Sequence, residues 1–216
     1  MPVDFASALV NENGAAGQAW IEALPMTVES LCQRWNLAVE GVPMHGYLGI
    51  VVPVRRTAER YALKVSWINE STADEIEALR IWDGNGAVRL LEADPSIAAL
   101  LLERLDSRRS LEDIPIEEAI TIAASLVRRL SVPARGNVPH LSVVAERLAE
   151  SLLDRWEQLN RPIAQRLVDA ARDVAIQLGP EAGSFLVNYD LHYGNVLAGV
   201  REPWLAIDPK VVVGDP

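Results

Sequence analysis

The sequence has a single cysteine, three histidines, no basic run and no long apolar run. One cysteine excludes an internal disulfide, and Cys32, in "VESLCQRW", reads as a buried or half-buried small hydrophobe. His45, His140 and His192 fall in separate elements, and neither H-x-x-x-H nor C-x-x-C spacing occurs, so a zinc hydrolase has no ligand set in the pattern. No stretch approaches the roughly 20 apolar residues of a membrane span. "MPVDFASALV" at the N-terminus has no basic region before its apolar residues, so no signal peptide is expected and a cytoplasmic protein is the default. Twenty Lys and Arg against 30 Asp and Glu give a net charge of −10. That balance disfavours nucleic acid and anionic membrane as partners, since both require basic patches, and suits a cationic ligand.

What is present fits an ordinary globular chain. The 216 residues, half of them hydrophobic, suffice for one large domain or two small lobes. Residues 18–36 read as helix, with Pro25 breaking the pattern and Thr27 placed to cap the second half. Runs 37–44, 48–55 and 60–67 alternate or are β-branched, with short turn-like links, and predict an antiparallel meander. "STADEIEALRIWD" (71–83) predicts a helix capped by Ser71 or Thr72 and ended by "GNG". Two more strands, 87–94 and 98–105, are joined at Asp94-Pro95, and "DSRRS" (106–110) reads as a polar linker. Beyond it, 114–130, 141–159 and 162–178 have the three-and-four spacing of amphipathic helices, and 184–190, 195–200 and 203–210 return to short strands.

The chemistry concentrates near the end of the chain. In "NYDLHYGNVL", Asp190 and Asn195 are five apart (195 − 190) between two apolar runs. That is the spacing of a kinase catalytic loop, whose Asp accepts a hydroxyl proton and whose Asn binds a metal on the phosphates. As a lone motif it is equally a polar loop between edge strands. Asp208 follows thirteen residues later (208 − 195), ending the apolar run "WLAID", where a second oxygen ligand for Mg²⁺ would stand; the alternative is a turn residue before Pro209. Lys64 interrupts the strand "YALKV". Alternation with Leu63 and Val65 could place it in solvent, or it could pair nucleotide phosphates and an acid on the following helix. Glu75, eleven residues on (75 − 64), is one candidate acid, with Glu77 and Asp74 competing. "HGYLG" (45–49) stands where a phosphate-covering hairpin would be, and its Gly46 and Gly49 would let backbone approach phosphate, but it is not G-x-G-x-x-G and reads nearly as well as an ordinary hairpin turn. "LLLERL" (100–105) fits an interlobe hinge, where Glu103 and Leu105 would offer backbone groups to adenine, although as a pattern it is only an apolar strand end.

Through "YALKVSW", "EALRIWDGNGAVRLLEAD", "ALLLERL", "DLHYGNVL" and "PWLAIDPKVVVGDP", the chain resembles the aminoglycoside/hydroxyurea antibiotic resistance kinase family, which includes streptomycin 6-phosphotransferases. The resemblance implies an α+β, bilobal protein-kinase-like fold. Its antiparallel-sheet N-lobe would span 1–105 and its mostly helical C-lobe, with the catalytic and metal-binding loops, 106–216. It also implies transfer of the γ-phosphoryl group of ATP to a hydroxyl of a cationic acceptor such as streptomycin, with Mg²⁺. By position, Asp190 resembles the family's catalytic Asp, Asn195 and Asp208 its metal ligands, and Lys64 its phosphate-binding Lys with Glu75 as partner.

Two departures stand out. The family's His-Gly-Asp is here Asn188-Tyr189-Asp190, and the chain stops at "GDP", where family members continue for some tens of helical residues that help wall the acceptor pocket. The expectation is therefore a C-terminally short member with an incomplete C-lobe. The rival is a non-catalytic kinase-like protein that at most binds nucleotide.

Overall fold

The structure, a computed structural model, describes residues 3–68 and 71–216. It opens with α1 (Val3–Arg34), bent at Gly14, whose φ of 58° and ψ of −136° are open to glycine and strained for other residues. The helix runs through Pro25, contrary to the expected break. Thr27 does not cap; its hydroxyl donates to the Ala23 carbonyl one turn back, at 3.1 Å. The stripe Phe5, Leu24 and Leu31 outweighs the one amide hydrogen bond that proline removes, because all three are buried against a sheet.

That sheet contains β1 (Ala38–Val39), β2 (Met44–His45), β3 (Gly49–Arg56), β4 (Glu59–Ser66), β5 (Leu90–Asp94) and β6 (Ala99–Glu103). The order is β1-β3-β4-β6-β5, with β2 also on β3 and every pair antiparallel. The expected strand 37–44 is split in two, because Pro43 and Gly41 interrupt it. Helix α2 (Ser71–Trp82) connects β4 to β5. Thr72 at its start is buried, while the Ser71 side chain lies outside the described residues.

Alternation along the strands creates two faces, and both are covered. Leu63, Val65 and Leu101 pack with α1. Ala62, Leu100 and Leu102 pack with Ile76, Leu79 and Trp82 of α2, and the same core continues into Leu186 and Leu205 of the second half. This continuous core ties the sheet to the helical part of the chain. The Trp82 indole donates to the Leu130 carbonyl at 2.8 Å, the Val88 N–H donates to the Ala206 carbonyl at 2.8 Å, and the Ala206 N–H donates to the Gly86 carbonyl at 3.0 Å.

The second half contains β7 (Asp106–Ser110), α3 (Ile116–Leu130), β8 (Val132–Pro133), α4 (Leu141–Gln158), α5 (Gln165–Leu178), β9 (Phe185–Asn188), β10 (Val196–Ala198), β11 (Trp204–Ala206) and β12 (Val211–Gly214). Two three-stranded sheets form, β11-β10-β7 and β12-β9-β8. "DSRRS" is thus a strand rather than a linker. Its polar side chains gave no period-2 signal, and pairing with β10 supplies its structure. β8 and β12 are likewise additions to the sequence reading. Among the described residues no helix is long and apolar enough to cross a membrane.

Candidate active site

Lys64 lies on the β4 face that carries Ala62, opposite Leu63 and Val65, so it points away from α1 and toward α2. Its Nζ sits 2.7 Å from both carboxylate oxygens of Glu75 and 2.5 Å from Oδ1 of Asp208. The Lys64 and Glu75 side chains are 13% and 8% exposed, whereas Asp208 is 56% exposed, so a buried ion pair carries a half-open third member. Burial works against the Lys64 charge, but the carboxylates of Glu75 and Asp208 outweigh it and hold the ammonium above its ordinary pKa. Burial raises Glu75, with Lys64 opposing, and the net shift is upward. Burial also pushes on Asp208, but the adjacent Lys64 wins and holds it below the usual aspartate value.

Asp208 reaches this position through an αL backbone, φ 48°, which Asp tolerates better than most side chains. The chain is fixed just before it: the Ile207 N–H donates to the Asn195 carbonyl at 2.9 Å, tying the end of β11 to the loop after β9. In that loop the Asp190 carbonyl accepts from the His192 N–H at 2.9 Å and from Asn195 Nδ2 at 3.2 Å. With Nδ2 engaged, Asn195 Oδ1 is the atom left to bind a cation. Asn188 supplies a brace at the position where the family pattern has His: its Oδ1 accepts the Asp190 N–H at 3.1 Å. Tyr189 is exposed, so its bulk meets no core.

The Asp190 carboxylate pairs with Lys210, Oδ2 to Nζ 2.8 Å. The hydrogen bond to Asp190 and its charge raise the Lys210 pKa against partial burial. The sequence reading assigns Lys210 no role; a lysine after Asp-Pro has no signal beyond its closeness to Asp208. Also unforeseen is Arg201, which binds the Glu103 carboxylate at 3.0 and 3.3 Å and turns that side chain aside. The Glu103 N–H donates to the Arg89 carbonyl at 3.0 Å, so the Glu103 carbonyl oxygen is the group that would meet a ring at the hinge.

Lys64, Glu75, Asn195, Asp208 and Lys210 border a cleft of about 480 Å³ between the β2–β3 turn, the end of β6 and the Asp208 loop. Val51, Ala62, Val88, Leu102, Leu197 and Ile207 make an apolar slot, and Lys64, Glu75, Asn195, Asp208 and Lys210 form its polar end. Glu103 and Leu105 line it at the hinge. Such a slot with a charged end suits a planar base with phosphates attached. The β2–β3 turn overhangs it. A Cβ on Gly49 would lie 2.7 Å from Ser66 Oγ and the Val65 carbonyl, so packing on β4 explains this glycine, while a Cβ on Gly46 would meet nothing. The turn is held from outside by α1: Tyr47 hydrogen-bonds Glu12, and the His45 ring lies 5.4 Å from Phe5.

The donor set at the polar end is one carboxylate and one amide oxygen, which fits Mg²⁺ completed by phosphate oxygens and water. Among the described residues no cluster of three or more His, Cys, Asp or Glu could hold a metal alone. His140 caps α4 and His45 packs on Phe5.

The arrangement of antiparallel sheet and helices is a kinase-like fold. The fold matches an aminoglycoside phosphotransferase, APH(4)-Ia, with a TM-score of 0.63 at 14% identity, over 88% of this chain and 72% of that one. It also matches a Plasmodium vivax ethanolamine kinase with a TM-score of 0.55 at 14% identity, over 99% of this chain and 70% of that one. The sequence goes further: residues 34–216 match the model of the aminoglycoside/hydroxyurea antibiotic resistance kinases, and the chain belongs to that family. A streptomycin 6-kinase of Streptomyces glaucescens is 40% identical over 219 aligned positions, covering 100% of this chain and 71% of that protein. A hydroxyurea phosphotransferase of Kitasatospora aureofaciens is 41% identical over 221 positions, covering 100% of this chain and 65% of that protein.

Proposed function

We propose that this chain is an ATP-dependent, Mg²⁺-requiring phosphotransferase acting in the cytoplasm on a hydroxyl group of an aminoglycoside such as streptomycin, and that it confers resistance by doing so. The observation that carries the proposal is the contact of Lys64 with both Glu75 and Asp208 beside Asn195, at the polar end of an apolar slot. When bound, Mg²⁺–ATP supplies the phosphoryl group and the divalent charge that offsets its oxygens.

The chain's own residues then have distinct tasks. Glu75 orients Lys64 toward the phosphates, Asn195 and Asp208 hold the metal, and the backbone at Glu103 and Leu105 receives the adenine edge. Asp190 takes the proton of the acceptor hydroxyl, a role that needs only a positioned, ionised carboxylate. Net charge −10 draws a cationic acceptor toward the site.

The direct test mixes the purified chain with Mg²⁺–ATP and either streptomycin or hydroxyurea and follows phosphorylated product by mass spectrometry. Phosphorylated streptomycin is expected. Product from hydroxyurea alone would move the acceptor, and nucleotide binding without any product would favour the non-catalytic reading.

A further inference from the structure

We propose that Lys210 is a further catalytic residue of this site, lending its ammonium to the phosphoryl group in transfer while also orienting Asp190. This rests on the phosphotransferase reading above. Lys210 lines the same cleft as Lys64, Asn195 and Asp208, and its Nζ lies 2.8 Å from Asp190 Oδ2.

Three observations set its role. First, its backbone is pinned to the catalytic loop: the Tyr189 N–H donates to the Lys210 carbonyl at 3.0 Å, and Val211 pairs with Asn188 in the β9–β12 ladder. The flexible stem is therefore what reaches into the cleft. Second, its side chain is 45% exposed, and an ammonium has three N–H donors. Asp190 is its one ion-pair partner among the described residues, so donors remain for an incoming oxygen. Third, charge is scarce there. Lys64 is shared between two carboxylates, so two cations, Lys64 and Lys210, face Glu75, Asp190 and Asp208, a net negative polar end. A phosphoryl group whose charge spreads over its oxygens needs a cation that is not already doubly committed, and Lys210 is that cation.

In the step served, the acceptor hydroxyl oxygen forms a bond to Pγ as the bond from Pγ to the β–γ bridging oxygen breaks. That electron pair leaves with ADP, and the hydroxyl proton passes to Asp190. Lys210 adjoins both the carboxylate that takes the proton and the space where the transferred group must pass.

The test separates this from a purely positioning role, using streptomycin and water as alternative acceptors. Lys210→Met should lower kcat roughly a hundredfold, the scale of losing one preorganised donor to transition-state charge, in both streptomycin phosphorylation and acceptor-free ATP hydrolysis. The Kd for Mg²⁺–AMP-PNP should stay within about threefold, and Lys210→Arg should recover at least about a tenth of the parent rate because it keeps the charge. Asp190→Asn/Lys210→Met should still be slower than Asp190→Asn, though by less than the loss seen for Lys210→Met alone, because the two groups touch and the part of the loss that runs through Asp190 is already gone. Parental ATP hydrolysis in Lys210→Met, or a double variant no slower than Asp190→Asn, would restrict Lys210 to holding Asp190 and overturn the proposal. A parent chain with neither activity would instead overturn the phosphotransferase reading on which it rests.

Discussion

Replacing Lys64 by methionine is the perturbation with the clearest structural magnitude. The Lys64 ammonium touches both oxygens of Glu75 at 2.7 Å, and the Glu75 side chain is only 8% exposed. Methionine fills most of the stem but removes the charge, leaving a buried carboxylate unpaired. Breaking one side of such a pair costs about 3–5 kcal/mol. Asp208 adds little to that figure, since its carboxylate is 56% exposed and water can replace the lost partner. We take about 3 kcal/mol, which lowers Tm by about 6–12 °C for a chain of this size.

The pH dependence follows from Glu75, whose folded pKa already lies above its ordinary value because burial outweighs Lys64. A carboxylate raised in the folded state contributes stability that is full below its unfolded pKa and is lost as pH rises through the folded one. Removing Lys64 raises Glu75 further, so the deficit should be small at about pH 4.5 and grow as pH rises toward about 8. Urea unfolding of parent and Lys64→Met across that range measures it, and Lys64→Met/Glu75→Gln should recover most of the loss at pH 8. A deficit below about 1 kcal/mol at pH 8, or one that does not change with pH, would show that Glu75 is not held as an unpaired buried charge and would refute the reasoning.

Asp190→Asn should lower kcat for streptomycin phosphorylation by roughly a hundredfold or more while nucleotide affinity changes little; near-normal turnover would remove Asp190 from proton acceptance. Asp208→Ala should abolish the Mg²⁺ dependence of ATP binding, read by calorimetry with and without the metal, and an unchanged dependence would exclude Asp208 as a ligand. Gly49→Ala should destabilise by about 1–3 kcal/mol because its Cβ would meet the Val65 backbone, whereas Gly46→Ala should be nearly neutral in the same thermal melt. Equal effects at the two glycines would contradict the packing of the β2–β3 turn.

The sequence by itself determined most element types and the candidate groups Lys64, Asp190, Asn195 and Asp208, but not Lys210. Lys64 in an apolar strand, Asp190 and Asn195 at loop spacing, and Asp208 ending a strand are all local patterns, legible because a period of two or a fixed loop length is written in consecutive residues. Local pattern misled where pairing or packing overrode it. Polar 106–110 became a strand by pairing with β10, and α1 ran through Pro25 because its apolar stripe docks on the sheet.

Relations between distant groups were decided only by the tertiary structure. Alternation says that Lys64 and Leu63 face opposite ways but not which face is open, and α1 settles that by covering the Leu63 side. Glu75 and Glu77 are two apart on a helix and so point roughly 200° apart. Docking of α2 turns Glu75 to Lys64 and leaves Glu77 against Gly136. Asn188 as the brace of Asp190, and Lys210 as its ion-pair partner, depend on β12 lying beside β9, a pairing across more than twenty residues that no local period encodes.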